Sequence, residues 1–335
     1  MKIDTDKHII MFENCQLTRG VNRTVISDFQ RHQIDFLDNK IFEIINNQSR
    51  DFSIKQILNN YNKQDQDIIL EYFEFLLDKE YAFLCDKSEI DFFPKLNLEW
   101  DYPASITNCI IDLNKNPDFS VYNQLIKDLD YLNCEDIQIR DYYGVLIDLL
   151  CDFLNKFNGT TLIRIELILK KTEHLNIYKK IVKSYPRINS LILHSSSINK
   201  NYKISMHQTM ACRKINVTDE NCCGIVSANY FNLRLEHFLE SQYFNTCLNR
   251  KVSIDKKGQI KNCPAMKNSF GHISNTSVID VIKLEEFQAV WKIKKDSIKI
   301  CKDCEFRYIC TDCRAFLESD ISTSKPHKCK YNPYE

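Results

Sequence analysis

Apolar residues recur at spacings that divide the chain into a short N-terminal part and a longer alternating part. In the first part, the spacing predicts strands at 8–12 and 23–27, an apolar segment at 34–37, helices at 40–45, 53–58 and 68–77, and a closing strand at 81–84. Ser53 precedes the second helix as a favourable N-cap. Three short helices closed by a strand are typical of a winged helix.

Strands and helices alternate regularly after residue 104. The predicted strands are 106–113, Asp136–Arg140, 161–169 and Ile188–His194, and the helices between them are 121–132, 145–157 and Leu175–Ser184. Because the strands are almost continuously apolar, we expect both of their faces to be buried, as in a parallel sheet of βαβ units. The predicted fold class is therefore α/β, with a partial barrel or an open sheet in the middle. Residues 92–103 are predicted to form a linker.

The charge of the chain argues against nucleic acid and membranes as partners. The chain has 45 Lys and Arg residues and 45 Asp and Glu residues, so it has no net charge that would attract phosphate groups. Residues 35–95 carry thirteen acidic and seven basic residues, which makes a peptide a better ligand than DNA for the winged helix. No window has 18 apolar residues, and the start of the chain lacks signal-peptide features. The fifteen cysteines are therefore expected to be reduced thiols in the cytoplasm.

The strongest chemical motif lies near the C-terminal end, where Cys301, Cys304, Cys310 and Cys313 form two CxxC pairs. A gap of two residues lets both sulfurs of a pair reach one metal, because the chain reverses between them. Paired CxxC motifs bind zinc as well as iron and sulfide, so this motif alone leaves the metal open.

A second cysteine motif precedes this knuckle. Cys247 is followed by ten residues, Gly258, four residues and Cys263, and a further cysteine, Cys329, follows the knuckle. The segment 251–263 is predicted to be a hairpin with its turn at Gly258. This hairpin would bring Cys247 and Cys263 to one site.

Seven cysteines and one glycine over 83 residues resemble the SPASM domain, which carries auxiliary clusters in radical SAM peptide maturases. The pattern of that domain is CX9–15GX4C, CX2CX5CX3C and a final C; here the last gap of the knuckle is two residues. The segments KNCPAM, CKDCEFRYICTDCR and KPHKC resemble the SPASM-domain maturases of grasp-with-spasm systems. Those maturases are encoded beside an ATP-grasp ligase that makes the ring links of graspetides.

The SPASM resemblance implies two four-iron four-sulfur clusters and a set of ligands for each. By position, Cys301, Cys304, Cys310 and Cys329 would hold one cluster, and Cys247, Cys263 and Cys313 the other. The second set is one ligand short, and Cys222 or Cys223 is the expected donor, with Cys212 as a third candidate. The open alternatives are an iron with a free position for substrate and zinc in place of a cluster.

The resemblance also implies three domains. The N-terminal elements resemble the PqqD-like precursor-recognition domain, in which a leader peptide adds a strand to the sheet and lies against the third helix. The middle resembles a degenerate radical SAM barrel, because the first strand holds Cys109 but the next cysteine is Cys134, so the CxxxCxxC triad is absent. The predicted boundaries are 1–93, 104–220 and 221–335.

Together these features predict a peptide-maturation factor of a graspetide pathway. It would bind the leader of a ribosomally made precursor, work with an ATP-grasp ligase and carry one or two iron–sulfur clusters. Binding of S-adenosylmethionine is not expected without the triad, so whether the chain is an enzyme stays open. The alternatives are a redox enzyme that acts on the peptide through an open cluster and a zinc-stapled scaffold protein.

Overall fold

The computed structural model describes residues 3–335, and its N-terminal part contains five strands and three helices. The elements are β1 (His8–Met11), β2 (Cys15–Arg19), β3 (Thr24–Asp28), β4 (Gln33–Leu37), α1 (Asn39–Asn47), α2 (Ile54–Leu58), α3 (Lys63–Asp78) and β5 (Ala82–Cys85). β2, β3 and β4 form an antiparallel sheet, and β1 pairs with β5. The three predicted helices and the closing strand are present, and β2 is an additional strand.

Side-chain caps start each of the three N-terminal helices. Asp38 accepts a hydrogen bond from the backbone of α1, and Asn62 accepts one from the backbone of α3. Ser53 and Gln56 form a capping box at α2. The apolar stripe of α3 buries Ile69, Phe73 and Leu76 in a core shared with β1 and β3. Capping and burial together explain why this short segment forms helices.

The middle of the chain forms a large, mostly parallel sheet. Its elements in chain order are β6 (Asn108–Asp112), α4 (Asn123–Tyr131), β7 (Asp136–Arg140), α5 (Ile147–Asn155), β8 (Arg164–Lys170), α6 (Leu175–Ser184), β9 (Ile188–His194), β10 (Lys200–Lys203) and β11 (Thr209–Cys212). The strands β6 to β9 lie side by side in sequence order and are all parallel. The predicted α/β class is therefore confirmed.

The sheet extends at both ends beyond the four predicted strands. On one side β11 joins β9 and β10 joins β11; on the other side β12 (Lys251–Ile254) pairs with β6, and β13 (Ile260–Lys261) pairs with β12. The predicted hairpin is thus β12–β13, and Gly258 lies in its turn with φ +77°. Because β12 belongs to this sheet, the sheet crosses the predicted boundary at residue 220.

The two faces of the sheet differ in chemistry. Cys109, Ile137 and Leu167 are buried on the face that packs against α4, α5 and α6. The opposite face is polar, with the Gln138 amide donating to the Glu166 carboxylate. A cavity of about 300 Å³ lies on this polar face. Apolar side chains therefore attach the helices to one face and leave the other accessible.

The C-terminal part consists mainly of loops with three short helices. These are α7 (Leu235–Ser241), α8 (Val278–Val281) and α9 (Glu285–Gln288). Within residues 3–335, no helix has the length and apolar character needed to cross a membrane.

Candidate metal centre

Four cysteines form what we call the knuckle group: Cys301, Cys304, Cys310 and Cys329. Burial raises the pKa of Cys304 to about 12, and the charges of Cys310 and Cys301 act in the same direction. Burial also raises the pKa of Cys310 to about 11, and Cys329 adds to this rise. The backbone of Cys329 forms a parallel bridge with Val226, which lies just after Cys223.

Four other cysteines form what we call the hairpin group: Cys223, Cys247, Cys263 and Cys313. Burial raises the pKa of Cys247, and both Cys223 and Cys313 add to the rise. Burial raises the pKa of Cys263 to about 12, with further contributions from Cys247 and Cys223. The β12–β13 hairpin separates Cys247 from Cys263 along the chain and returns them to one place.

The two candidate donors Cys222 and Cys223 face different surroundings. Burial raises the pKa of Cys222, while the charge of Arg140 opposes that rise. Cys223 instead acts on Cys247 and Cys263, as described above. Cys223 also acts on the Arg140 guanidinium, and both cysteines are exposed. Cys223 thus lies near Arg140 as well as near the hairpin group.

Gly224 allows the chain to pass very close to a hairpin-group sulfur. A Cβ atom at this position would lie 2.9 Å from Cys313 Sγ and 2.7 Å from the Phe316 ring. Its φ of +81° also favours glycine. A side chain at this position would therefore displace Cys313 or Phe316.

Most of the buried polar atoms without a hydrogen-bond partner belong to the C-terminal part of the chain. No three His, Cys, Asp or Glu side chains among residues 3–335 are placed to hold one metal ion. Nine of the twelve unpartnered buried atoms belong to residues 237–314, including His237 Nε2, Thr246 Oγ1, Ser253 Oγ and Trp291 Nε1. Buried donors normally have acceptors, and thiolate and inorganic sulfide accept such bonds in iron–sulfur centres. Thiols are the ligand type that such a group needs, but the described side chains do not converge on one metal position.

A buried ionic network links the two cysteine groups. Asp312 forms ion pairs with Lys295 at 3.3 Å and with Arg314 at 2.7 Å. Its second oxygen accepts a hydrogen bond from Asn245 at 2.7 Å. Asn245 in turn accepts one from the backbone of Cys247 at 3.0 Å. Asp312 thus connects the knuckle loop to the start of the hairpin segment.

Lys251 lies between the hairpin group and the polar face of the sheet. Its Nζ donates to Cys247 Sγ over 3.7 Å, and its side chain also lines the cavity on that face. Burial acts to lower the pKa of Lys251, but the charges of Cys247 and Cys263 outweigh burial and the pKa is raised. The ammonium is therefore held in its charged form.

Polar contacts attach the N-terminal sheet to the knuckle loop. The backbone N–H of Val21 donates to the Asp303 carbonyl at 3.1 Å, and Arg23 pairs with Glu305 at 2.8 Å. The hydroxyl of Tyr331, from the C-terminal tail, donates to the same Glu305 oxygen at 2.6 Å. The knuckle loop is therefore in contact with both the N-terminal part and the tail.

An apolar cluster adds to this contact. Val25 and Phe29 from the N-terminal part are buried with Phe238, Phe306 and Ile309 from the C-terminal part. The rings of Phe29 and Phe238 lie 4.9 Å apart between centroids. The N-terminal part thus buries apolar surface directly on the knuckle.

The carboxyl ends of β6 and β7 carry a buried ion pair. Arg140 binds the two oxygens of Asp112 at 2.5 and 3.0 Å, and the Tyr142 hydroxyl donates to Asp112 at 2.9 Å. Ligands of open α/β sheets bind at this edge. Here Arg140 and Asp112 neutralise each other's charge.

Several residues of the site could not be identified from the motif search. Lys251, Lys295 and Asp312 are ordinary charged residues in the sequence, although Asp312 lies between two cysteines of the knuckle. His237 is buried, and burial lowers its pKa to about 4. Its position in the apolar segment 230–239 is the only signal of this burial in the sequence.

The fold defines a mixed α/β protein with a large, mostly parallel sheet and a cysteine-rich C-terminal part. No protein-family model matches the chain, and no curated protein matches it. The crystal structure of Streptococcus suis SuiB is 11% identical, with 99% of this chain and 100% of that chain covered and a TM-score of 0.32. SuiB bound to S-adenosylmethionine is 10% identical over the same coverage, also with a TM-score of 0.32.

Proposed function

We propose that this chain is a peptide-maturation factor of a graspetide pathway. It binds the leader of a ribosomally made precursor, acts with an ATP-grasp ligase and carries iron–sulfur clusters in its C-terminal part. The observation that carries this proposal is the β12–β13 hairpin, whose antiparallel pairing returns the segment that holds Cys263 toward the segment that holds Cys247.

In this proposal the knuckle group holds one cluster and the hairpin group holds the other. The surroundings of Cys223 favour it over Cys222 as the fourth ligand of the hairpin group. Four thiolates for each cluster leave no iron free, which favours a structural or electron-transfer role over direct action on the peptide. Iron–sulfur clusters held by thiolates transfer one electron at a time, and they also hold together the loops that bind them.

The N-terminal part supplies the proposed leader site. β4 is an edge strand of its sheet, with no strand partner on its outer side among residues 3–335. The end of α3 lies close to this strand, because Lys79 pairs with Asp35 at 3.6 Å and the Tyr81 hydroxyl donates to Asp35 at 2.7 Å. An extended leader can add a strand to β4 and place side chains against α3, where Ile68 is 43% exposed.

Metal analysis tests the cluster assignment. We expect anaerobically purified protein to be brown and to hold roughly four to eight irons per chain, with matching acid-labile sulfide. Cys223→Ser should lose about half of the iron, because one cluster of two loses a ligand. Cys222→Ser is the matched control and should retain it. Stoichiometric zinc without sulfide would show instead that the chain is the zinc-stapled scaffold.

Calorimetry on the full-length chain tests the leader site. We expect the leader of the neighbouring precursor to bind with micromolar affinity, on the order of 8 kcal/mol, through main-chain pairing and a few buried side chains. The core peptide and duplex DNA serve as controls and should not bind. Binding of the core alone, or of neither peptide, would remove the support for a precursor partner.

A further inference from the structure

A cavity of about 590 Å³ lies where the N-terminal part, the segment 93–107 that follows it and α7 meet. Phe29 lines it from the turn after β3, Trp100 and Tyr102 line it from that segment, and His237 and Glu240 line it from α7. No cysteine among residues 3–335 belongs to this lining. The cavity is therefore separate from the candidate metal centre.

Two polar atoms of the lining are buried without a hydrogen-bond partner. His237 is 8% exposed, and its Nε2 atom has no partner in the described part of the chain. Thr246 also lines the cavity, and its Oγ1 atom is likewise buried without a partner there. Because buried polar atoms normally have partners, we expect a ligand to supply them.

Glu240 adds a carboxyl group that no cation of residues 3–335 pairs with. One of its oxygens accepts a hydrogen bond from Asn249 at 2.8 Å. Lys251 and Arg250 act on this carboxyl group, but Lys251 Nζ donates to Cys247 Sγ over 3.7 Å and Arg250 donates to backbone carbonyls of the segment 93–107. A mostly buried carboxylate without an ion pair needs either a proton or a cation from outside the chain.

The spacing along α7 places two of these polar groups together. His237 and Glu240 are three residues apart, so they lie on one face of the helix with about 5–6 Å between their Cβ atoms. Burial lowers the pKa of His237 to about 4, so its imidazole is neutral and can present a lone pair at Nε2. With the oxygens of Glu240 and Thr246, the cavity offers three acceptors. An ammonium group has three donors and no acceptor.

The rest of the cavity suits an alkyl chain that carries this ammonium. The three aromatic residues named above supply surface against which methylene groups can pack. Among the other charged residues of the lining, Arg164 pairs with Asp136, and Arg234 and Glu236 are exposed and have opposite signs. Glu240 is therefore the charge that a cationic ligand would balance.

We infer that this cavity binds a primary ammonium group on an alkyl chain, such as a lysine side chain, with His237, Glu240 and Thr246 as its acceptors. This site goes beyond the proposed function, because it requires no metal at the cysteines. A lysine of a peptide and a free alkylamine share this chemistry, so both are used as probes.

Calorimetry of the full-length chain with Nα-acetyl-lysine methylamide tests the site. A measurement at pH 8 keeps Glu240 ionised, because burial raises its pKa only to about 7. Nα-acetyl-norleucine methylamide is the matched ligand, since it lacks only the ammonium. We expect the lysine derivative to bind at least about tenfold more tightly, because it alone supplies donors to buried acceptors. Binding of n-butylammonium at the same strength would identify a free alkylamine as a sufficient ligand, and weaker binding would identify a lysine of a peptide.

Variants assign the acceptors. Glu240→Gln keeps the shape of the side chain and should weaken binding of the lysine derivative about tenfold. Glu236→Gln is the matched control, because it makes the same change at an exposed position of α7 and should bind within about twofold of wild type. Thr246→Val removes one acceptor and should weaken binding several-fold. Circular dichroism checks folding, and Thr246→Val decides if Glu240→Gln does not fold.

The outcomes separate this inference from the proposed function. It is overturned if the lysine and norleucine derivatives bind equally, or if neither binds. It is also overturned if Glu240→Gln and Glu236→Gln weaken binding to the same extent. None of these measurements depends on the metal content of the protein, so a failure of the cluster assignment and a failure of this site are distinguishable.

Discussion

Arg23 is the residue whose loss should most weaken the contact between the N-terminal sheet and the knuckle. Its guanidinium pairs with Glu305, whose side chain is only 2% exposed, and it also lies 3.9 Å from the centre of the Phe36 ring. Arg23→Met removes both interactions and keeps most of the aliphatic stem. The carboxylate of Glu305 is then buried with only the Tyr331 hydroxyl as a side-chain partner.

The size of the effect follows from these contacts. Removing one partner of a buried pair costs about 3–5 kcal/mol. Arg23 is 42% exposed and Tyr331 still donates to Glu305, so we expect about 2–3 kcal/mol from the ion pair. The contact with the Phe36 ring lies within the N-terminal part, so its loss does not add to the release. The N-terminal part should therefore be released roughly thirty to a hundred times more often, since each 1.4 kcal/mol is a factor of ten.

Limited proteolysis of the full-length chain measures this release. Residues 93–107 connect the two parts without helix or strand, so their cleavage reports how often the parts separate. Arg19→Met is the matched control, because Arg19 pairs with Glu43 on the surface of the N-terminal part. An exposed pair contributes less than about 1 kcal/mol, so this variant should be cleaved at nearly the wild-type rate. Equal cleavage rates for the two variants would refute the role given to the Arg23–Glu305 pair.

Two further predictions concern pH and the cofactor. Burial raises the pKa of Glu240 to about 7 from 4.5, so the stability that its neutral form contributes is fully present below pH 4.5 and is lost as the pH rises through 7. In denaturant unfolding, the free energy of unfolding of Glu240→Gln should match that of wild type at pH 5 and exceed it by about 2–3 kcal/mol at pH 8. A wild type that is more stable than this variant at pH 8 would contradict the reasoning. We also expect no reductive cleavage of S-adenosylmethionine under strong reductant, because the chain lacks the thiolate triad between Cys109 and Cys134. Accumulation of 5'-deoxyadenosine above a no-protein control would show this expectation to be wrong.

The sequence predicted the central strands because apolar residues recur along them, but only one face is buried against helices, so the expectation of burial on both faces is wrong. β7 and β9 have the predicted bounds, since Asp136–Arg140 and Ile188–His194 are framed by polar residues. β10 escaped prediction because Lys200–Lys203 reads KNYK, and its conformation depends on pairing with β11. A strand that forms because a neighbouring strand pairs with it need not contain strand-favouring residues of its own.

The cysteine spacing likewise predicted more of the site than the charged residues did. The spacing restricts which thiols can bind one metal ion, because two cysteines separated by two residues lie close together in space. It could not separate Cys222 from Cys223, because the two cysteines are adjacent and the spacing fits either. Lys295 was also unpredictable, because a lysine is buried only when tertiary contacts place an anion beside it.

If the knuckle binds metal as proposed, its position makes metal binding and the placement of the N-terminal part interdependent. Glu305 and Phe306 lie between Cys304 and Cys310, so a metal bound at both cysteines would fix the loop that Arg23 contacts. Structural metal sites contribute their binding free energy to the order of the loops that hold them. Chelation should therefore raise the cleavage of residues 93–107 in wild type toward the rate of Arg23→Met, and it should add little in that variant. A chelated wild type that is cleaved as slowly as the metal-loaded protein would show that the contact surface forms without metal.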